Sequence, residues 1–416
     1  MRQLFCISFL FLFTGCALRT AEMGPTLVSI QLVDRSGVQE TISQKERLER
    51  YKTVSFLEPQ PYEKVTCHYK QKGVPISTVI SYHKNGQPMQ VLEVVALRAN
   101  GSYREFFENG KIKLEAEVIE GIGDITPYSQ ESWVFDGISK VYHETGSLKA
   151  SIPYKKGILE GTSVYYREDG SIWRKTPFIG GECHGEELFL GPLGEVVGGA
   201  QYFRGELHGK SWMSAPLHGL NGFEIYSYGK LLEGEYRNAA QELVSEVHDG
   251  FGTKSIYEKG ILIRTEEVQN GGIEGKIAFY NQQGHVERSF MQKGNLKDGE
   301  EWFFHLNGKP KLKVVWENDQ IHGVVQSWYD NGMVESERMY GQNKKEGSAF
   351  AWYQDGDRML IEEYENDLLI NGRYYKKGDQ EPVSRVKEGD GTVTLYDAKG
   401  NFLKKIVYKK GLPTNG

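Results

Sequence analysis

Large apolar residues recur along this chain at fixed odd distances from a glycine, and the pattern restarts every 24 residues. With Gly161 as an origin, further origins fall at Gly185 and Gly209, and Gly137 and, across an insertion, Gly101 precede it. A second run holds Gly275, Gly299, Gly323 and Gly347, and a divergent early unit begins near Ser77. Five places after the origin stands Tyr82, Phe106, Tyr142, Tyr166, Tyr280, Phe304, Trp328, Trp352 or Tyr396. Eleven places after it comes a residue such as Ile112, Leu148, Val286 or Val334, and seventeen after it Tyr154, Phe178, Tyr202, Trp316, Tyr340 or Tyr364.

A second glycine lies nine places after nearly every origin, as at Gly86, Gly110, Gly146, Gly308 and Gly332, often with Asn or Asp before it. Both residues of such a pair tolerate positive φ, so between alternating apolar positions they signal a hairpin. Each unit therefore predicts one hairpin. Side chains alternate faces along a strand, which puts positions 11 and 17 together; position 5 joins them if the loop has three residues with its glycine left-handed. The expected result is one continuous aromatic ridge on one face. Its contact candidates are Tyr142, Tyr166, Tyr202, Trp316, Trp328, Tyr340 and Trp352.

The stretches "YYREDGSIWRKTPFIGGECHG" and "WYDNGMVESERMYGQNKKEG" resemble the MORN repeat in its bacterial variant, over roughly residues 77 to 411. The resemblance implies an all-β fold, an elongated twisted antiparallel sheet of tandem 24-residue hairpins, here with a small N-terminal cap. The expected organisation is a signal segment at 1–15, a tether and cap at 16–76, a first repeat block at 77–209 with an insertion at 122–136, an irregular stretch at 210–251 and a second block at 252–411. Within the cap, Val28, Ile30 and Leu32 alternate as in a strand, and Ser43 with Glu46 reads as a capping box. A single-layer sheet cannot sandwich its own apolar face, so the ridge needs cover from curling, inserted segments, a second copy or a partner.

The first residues change the picture of where this sheet works. Arg2, an apolar run from Leu4 to Phe13 and the segment "LFTGC" ending at Cys16 resemble a bacterial lipoprotein signal. Cys16 would then carry the lipid, and Ala17 rather than Asp after it favours the outer membrane, with anchoring through the acyl chains and not a spanning helix. A secretion signal is at odds with the antitoxin-like role attached to some bacterial relatives of the repeat, which would return only if the signal is not used.

Composition and charge narrow the function further. The 416 residues include 49 glycines and only 39% apolar residues, which favours a thin build over a large packed core. A formal charge of -6 without a basic stripe argues against nucleic acid. Cys67 and Cys183 read as two separate thiols more readily than as a disulfide. His184, His208 and His322 share one slot before an origin glycine, but the same slot holds Glu160, Glu274, Asp298 and Glu346, so a polar turn position accounts for them without a metal. Cys183 beside His184 lacks an orienting third residue, and "GGIEGK" at 271–276 lacks phosphate-loop spacing. The expectation is a non-enzymatic, cofactor-free envelope protein that binds an unidentified protein partner, with a homo-oligomer as one form. Direct binding of lipid or cell-wall glycan along the aromatic face is the alternative, and an enzyme site in the irregular segments a third.

Overall fold

The computed structural model describes residues 25–213 and 222–414. The signal segment, Cys16 and the start of the tether lie outside the described residues, as do 214–221 of the irregular stretch. Among the described residues the chain is nearly all-β, with 35 strands paired antiparallel and two short helices. It divides into two compact units, 1–170 and 171–416.

In the first unit, strand Thr26–Val33 lies between Gln39–Ile42 and Lys64–Gln71. From there each strand pairs with the next, through Val74–Tyr82, Pro88–Val95, Arg98–Phe106, Ile112–Glu120, Val134–Tyr142 and Leu148–Lys155. Ile30 and Leu32 are buried with Ile42, Leu48 and Val65 as expected, but Val28 is exposed. The pairing slips between Leu27 and Ser29, so Val28 falls in a bulge and turns outward. The capping box is also absent. Helix Lys45–Glu49 starts from Gln44, whose side chain makes no capping bond, and Ser43 lies one position too early to serve.

The insertion folds over the first unit's core. Helix Pro127–Gln130 is capped by Thr126, whose Oγ1 accepts from the Ser129 N–H at 3.3 Å. It delivers Ile125 and Trp133 into the cluster of Leu92, Val94 and Val118, and Trp133 meets Tyr103 edge-on at 4.7 Å.

The second unit is a strand meander from Ile172–Ile179 to Phe402–Lys409 with no helix among its described residues. Its apolar clusters are small: one gathers Leu231, Tyr236, Val247 and Val268, another Leu360, Tyr364, Leu369 and Tyr374.

Two kinds of turn alternate in both units. At the Asn-Gly turns, the Gly308 N–H donates to the His305 carbonyl at 2.8 Å and the His305 N–H to the Lys309 carbonyl at 2.8 Å. Gly308 at φ +79° completes a three-residue loop of the expected type. At the other edge are two-residue turns with both φ positive, as at Asn318 (48°) and Asp319 (62°), whose twist matches that of the flanking strands.

The single aromatic ridge does not form. Tyr142 pairs with Leu148, but Val141 pairs with Ala150, so Lys149 is an extra residue on the second strand. The same shift follows Phe304, where Phe303 pairs with Leu312, and Trp328, where Ser327 pairs with Ser336. A bulge of one residue reverses the alternation beyond it. Position 11 keeps company with position 5, while position 17 lies opposite the origin, as Trp316 opposite Gly299 and Tyr340 opposite Gly323. Tyr142, Tyr166, Trp328 and Trp352 thus lie on one face of their hairpins, and Tyr202, Trp316 and Tyr340 on the other. The latter face is the buried one: it carries Ser163, Glu187, Glu301 and Ala349 at position 2, all 5% exposed or less.

Candidate interaction surface

On the buried face of the second unit, position 17 meets buried carboxylates. Glu301, 2% exposed, accepts from Trp316 Nε1 at 2.8 Å and Lys297 Nζ at 2.9 Å on one oxygen and from Arg288 Nε at 2.7 Å on the other. Lys297 also sits 4.4 Å over the Trp316 ring. Burial by itself would raise the Glu301 carboxyl, yet the lysine and arginine outweigh it and hold the group below its ordinary 4.5. Glu224 is saturated in the same way, by Tyr226 and Tyr236 hydroxyls and Lys254 Nζ, each at 2.7 Å. Burial, then the Glu224 charge, pushes both phenols well above their ordinary range. Glu187 accepts from Thr176 Oγ1 and Arg174 Nε at 2.7 Å. A cavity of about 360 Å³ opens beside Glu187, Tyr202, Trp212, Glu224 and Lys254. Its carboxylates are committed to internal partners, which makes this face a structural one.

The other face is open. Trp302 lies 6.4 Å from Phe304 and 5.7 Å from Trp328, with ring planes within 20° of parallel, and Phe350 and Trp352 stack at 6.0 Å and 25°. All five rings are half-buried. Lys313 Nζ stands 5.2 Å over Trp302 and bonds Glu300 at 2.6 Å, while Trp302 Nε1 donates to the second Glu300 oxygen at 2.9 Å. The lysine, then the indole, holds the Glu300 carboxyl below its ordinary value. A cavity of about 510 Å³ adjoins the array at Lys276, Met291, Trp302, Phe304 and Pro310.

The seven candidates therefore divide. Trp328 belongs to this array and Trp352 to its neighbouring pair. Tyr202, Trp316 and Tyr340 belong to the buried face. In the first unit Tyr142 donates to Glu115 at 2.7 Å and its phenol is pushed up to about 12 by burial, then by Glu115, whereas Tyr166 offers its backbone carbonyl to His143 at 3.4 Å. Trp302, the residue that joins the array, was not among them, although the triplet Trp302, Phe303, Phe304 marks the place.

The histidines of the origin slot do not converge on one point. His184 and His208 pack on Phe203 with centroids 5.1 and 5.9 Å away, and His208 also on Tyr228 at 4.5 Å. His322 faces Glu317 at 3.7 Å. Glu233, His248 and Asp249 do cluster, at an exposed turn, where His248 bonds Glu233 at 3.0 Å. Cys67 and Cys183 are free thiols, both pushed up to about 11 chiefly by burial.

The MORN repeat variant matches this chain at residues 99–119, 135–156 and 321–341, and these segments fall on the hairpins described above. No curated protein matches. Among solved structures, a chain of the Photorhabdus luminescens Tc holotoxin pore aligns with 9% identity and a TM-score of 0.14. The alignment covers 92% of this chain and 27% of that one.

Proposed function

We propose that this chain is a non-enzymatic interaction scaffold of a bacterial cell envelope, tethered to the outer membrane through an acylated Cys16, which offers the open face of its hairpin repeats to another protein. The observation that carries the reading is the contrast between the two faces of the second unit. On one, Glu187, Glu224 and Glu301 have internal donors. On the other, Trp302, Phe304 and Trp328 form a half-buried aromatic array, and no helix among the described residues of the unit covers it. Aromatic patches of this kind are where protein interfaces concentrate their binding energy.

The test places a photo-crosslinking amino acid at Gln326, on the open face, or at Arg338, on the buried face, in cells producing the full chain. Crosslinks to a second polypeptide from Gln326 and not from Arg338 are expected; a crosslinked dimer of the chain itself identifies a second copy as the partner. Equal yields from both positions, or none from Gln326, sink the reading. Palmitate labelling of wild type against Cys16→Ser tests the tether separately, and equal labelling of the two removes it.

A further inference from the structure

The open face has a period. Phe304, Trp328 and Trp352 occupy the same position in successive hairpins, each two strands from the last. At about 4.8 Å per strand that is roughly 9.6 Å along the ladder. A polyproline II helix repeats every three residues at about 3.1 Å each, or roughly 9.3 Å. A chain in that conformation, laid across the strands, returns the same edge to each ring in turn.

The hydrogen-bonding sense of the face selects among ligands of that period. Both Glu300 oxygens are engaged, by Lys313 and by the Trp302 indole, and one Glu337 oxygen takes Gln326 at 2.8 Å. The indole N–H groups of Trp328 and Trp352 have no acceptor among the described residues, where the side-chain bonds to these two tryptophans go to their backbone carbonyls. Two unpartnered indole N–H groups at successive repeats suit a ligand rich in carbonyls, which is what consecutive prolines supply.

Charge agrees. Lys313 pairs with Glu300, and Glu337 and Arg358 add one charge of each sign without pairing to each other, so the strip carries no net charge and suits an uncharged segment. The cavity of about 510 Å³ at Met291, Trp302 and Phe304 gives the first proline rings a seat. A preformed polyproline II segment also loses little conformational entropy on docking.

We propose that the open face between Glu300 and Arg358 docks an uncharged, proline-rich segment in polyproline II conformation, running across the strands at one helical turn per hairpin unit. The inference rests on the reading of this face as a protein-binding surface and names its partner's chemistry. The test is tryptophan fluorescence and calorimetry of the full chain with oligoprolines of four, seven and ten residues, with a Gly-Ser decamer and chitohexaose as competing probes. Affinity should rise with each three prolines added. Trp328→Ala should weaken decaproline binding by about tenfold or more, and Trp328→Phe, which keeps a ring and removes the donor, by about fivefold. Trp316→Phe, on the buried face, should leave it unchanged, and near-ultraviolet circular dichroism verifies that each variant is folded. No saturable decaproline binding to folded wild type, equal affinity for four and ten prolines, or insensitivity to Trp328→Ala overturns the inference, as does displacement by chitohexaose alone. If Gln326 crosslinks persist while decaproline neither binds nor competes, only the proline assignment falls; if the crosslinks are also absent, the protein-binding reading falls with it.

Discussion

Asn307 Nδ2 donates a 2.8 Å hydrogen bond to the backbone carbonyl of Asp330, 23 residues later in the next turn along the edge. The same bond joins Asn85 to Glu108 and Asn331 to Gln354, and across the insertion Asn109 to Glu144. His305 Nε2 reaches the Trp328 carbonyl at 2.9 Å and the Tyr329 hydroxyl the Trp352 carbonyl at 2.8 Å, so side chains two positions before the asparagines reinforce it. At the opposite edge Asp319 Oδ1 accepts from the Lys297 N–H and Asp367 Oδ1 from the Lys345 N–H. The hairpins that start at Gly299 and Gly323 are thus pinned to their neighbours at both ends, a nearest-neighbour coupling that suits a repeat array.

Asn307→Asp isolates one such staple. The aspartate still accepts from the Lys309 N–H, as the Asn307 Oδ1 does at 3.0 Å, but cannot donate to Asp330. Loss of a single partly solvated bond is worth about 0.5–1.5 kcal/mol. Hydrogen exchange should speed up locally in the turns around 307 and 330 with a small fall in Tm. Faster exchange across the whole second unit would show that its hairpins unfold together and not unit by unit.

Glu301 is the second target. Glu301→Ala leaves Arg288, Lys297 and the Trp316 indole without their shared acceptor, and because both cations stay partly in solvent the loss costs about 1–3 kcal/mol, less than for a fully buried pair. Because the folded carboxyl lies below its unfolded value, its contribution is fully present above the ordinary 4.5 and fades as pH falls through the folded value. Urea midpoints followed downward from pH 6 should therefore drop in wild type below about pH 4, and less steeply in Glu301→Gln. Parallel curves for the two would remove Glu301 from the acid sensitivity.

Both thiols are pushed up to about 11, chiefly by burial, so neither is a ready nucleophile at neutral pH. Alkylation of native protein by iodoacetamide at pH 8 should be slow at both positions and should accelerate toward pH 11. Cys183, half-buried, should react before Cys67, which is 2% exposed and should await unfolding. Fast reaction of Cys67 in the folded chain would contradict the packing of the N-terminal cluster.

The hairpins and their Asn-Gly turns were legible because glycine and asparagine mark positive φ in the letters themselves. The division of the aromatic residues between two faces was not. It depends on one extra residue per hairpin, Lys149 between Leu148 and Ala150 in one case, and nothing in Lys149 announces a bulge. Counting offsets alone carried Trp316 and Trp328 to the same side, where the register carries them to opposite sides. The repeat pattern does not mark Trp302, because it stands three places after its origin, a position that in other units holds Lys140 or Gln326. The capping box failed on a similar margin, since Ser43 is one residue from the position that could cap.

The two glycines of a unit should respond differently to substitution, because their backbones differ. Gly308 lies at φ +79° in a turn with nothing within 4 Å of the place a Cβ would take. Asparagine adopts that conformation with little strain, so Gly308→Asn should cost about 0.5 kcal/mol or less. Gly323 lies at φ +107°, beyond the region asparagine favours, and an added Cβ would stand 3.4 Å from Val315 Cβ on the paired strand. Gly323→Ala should therefore cost about 1–3 kcal/mol. Chemical denaturation of the two variants side by side checks the difference. If Gly323→Ala proves as mild as Gly308→Asn, the origin glycine is kept for some reason other than its backbone, and the argument that the 24-residue spacing records two distinct conformational demands is lost.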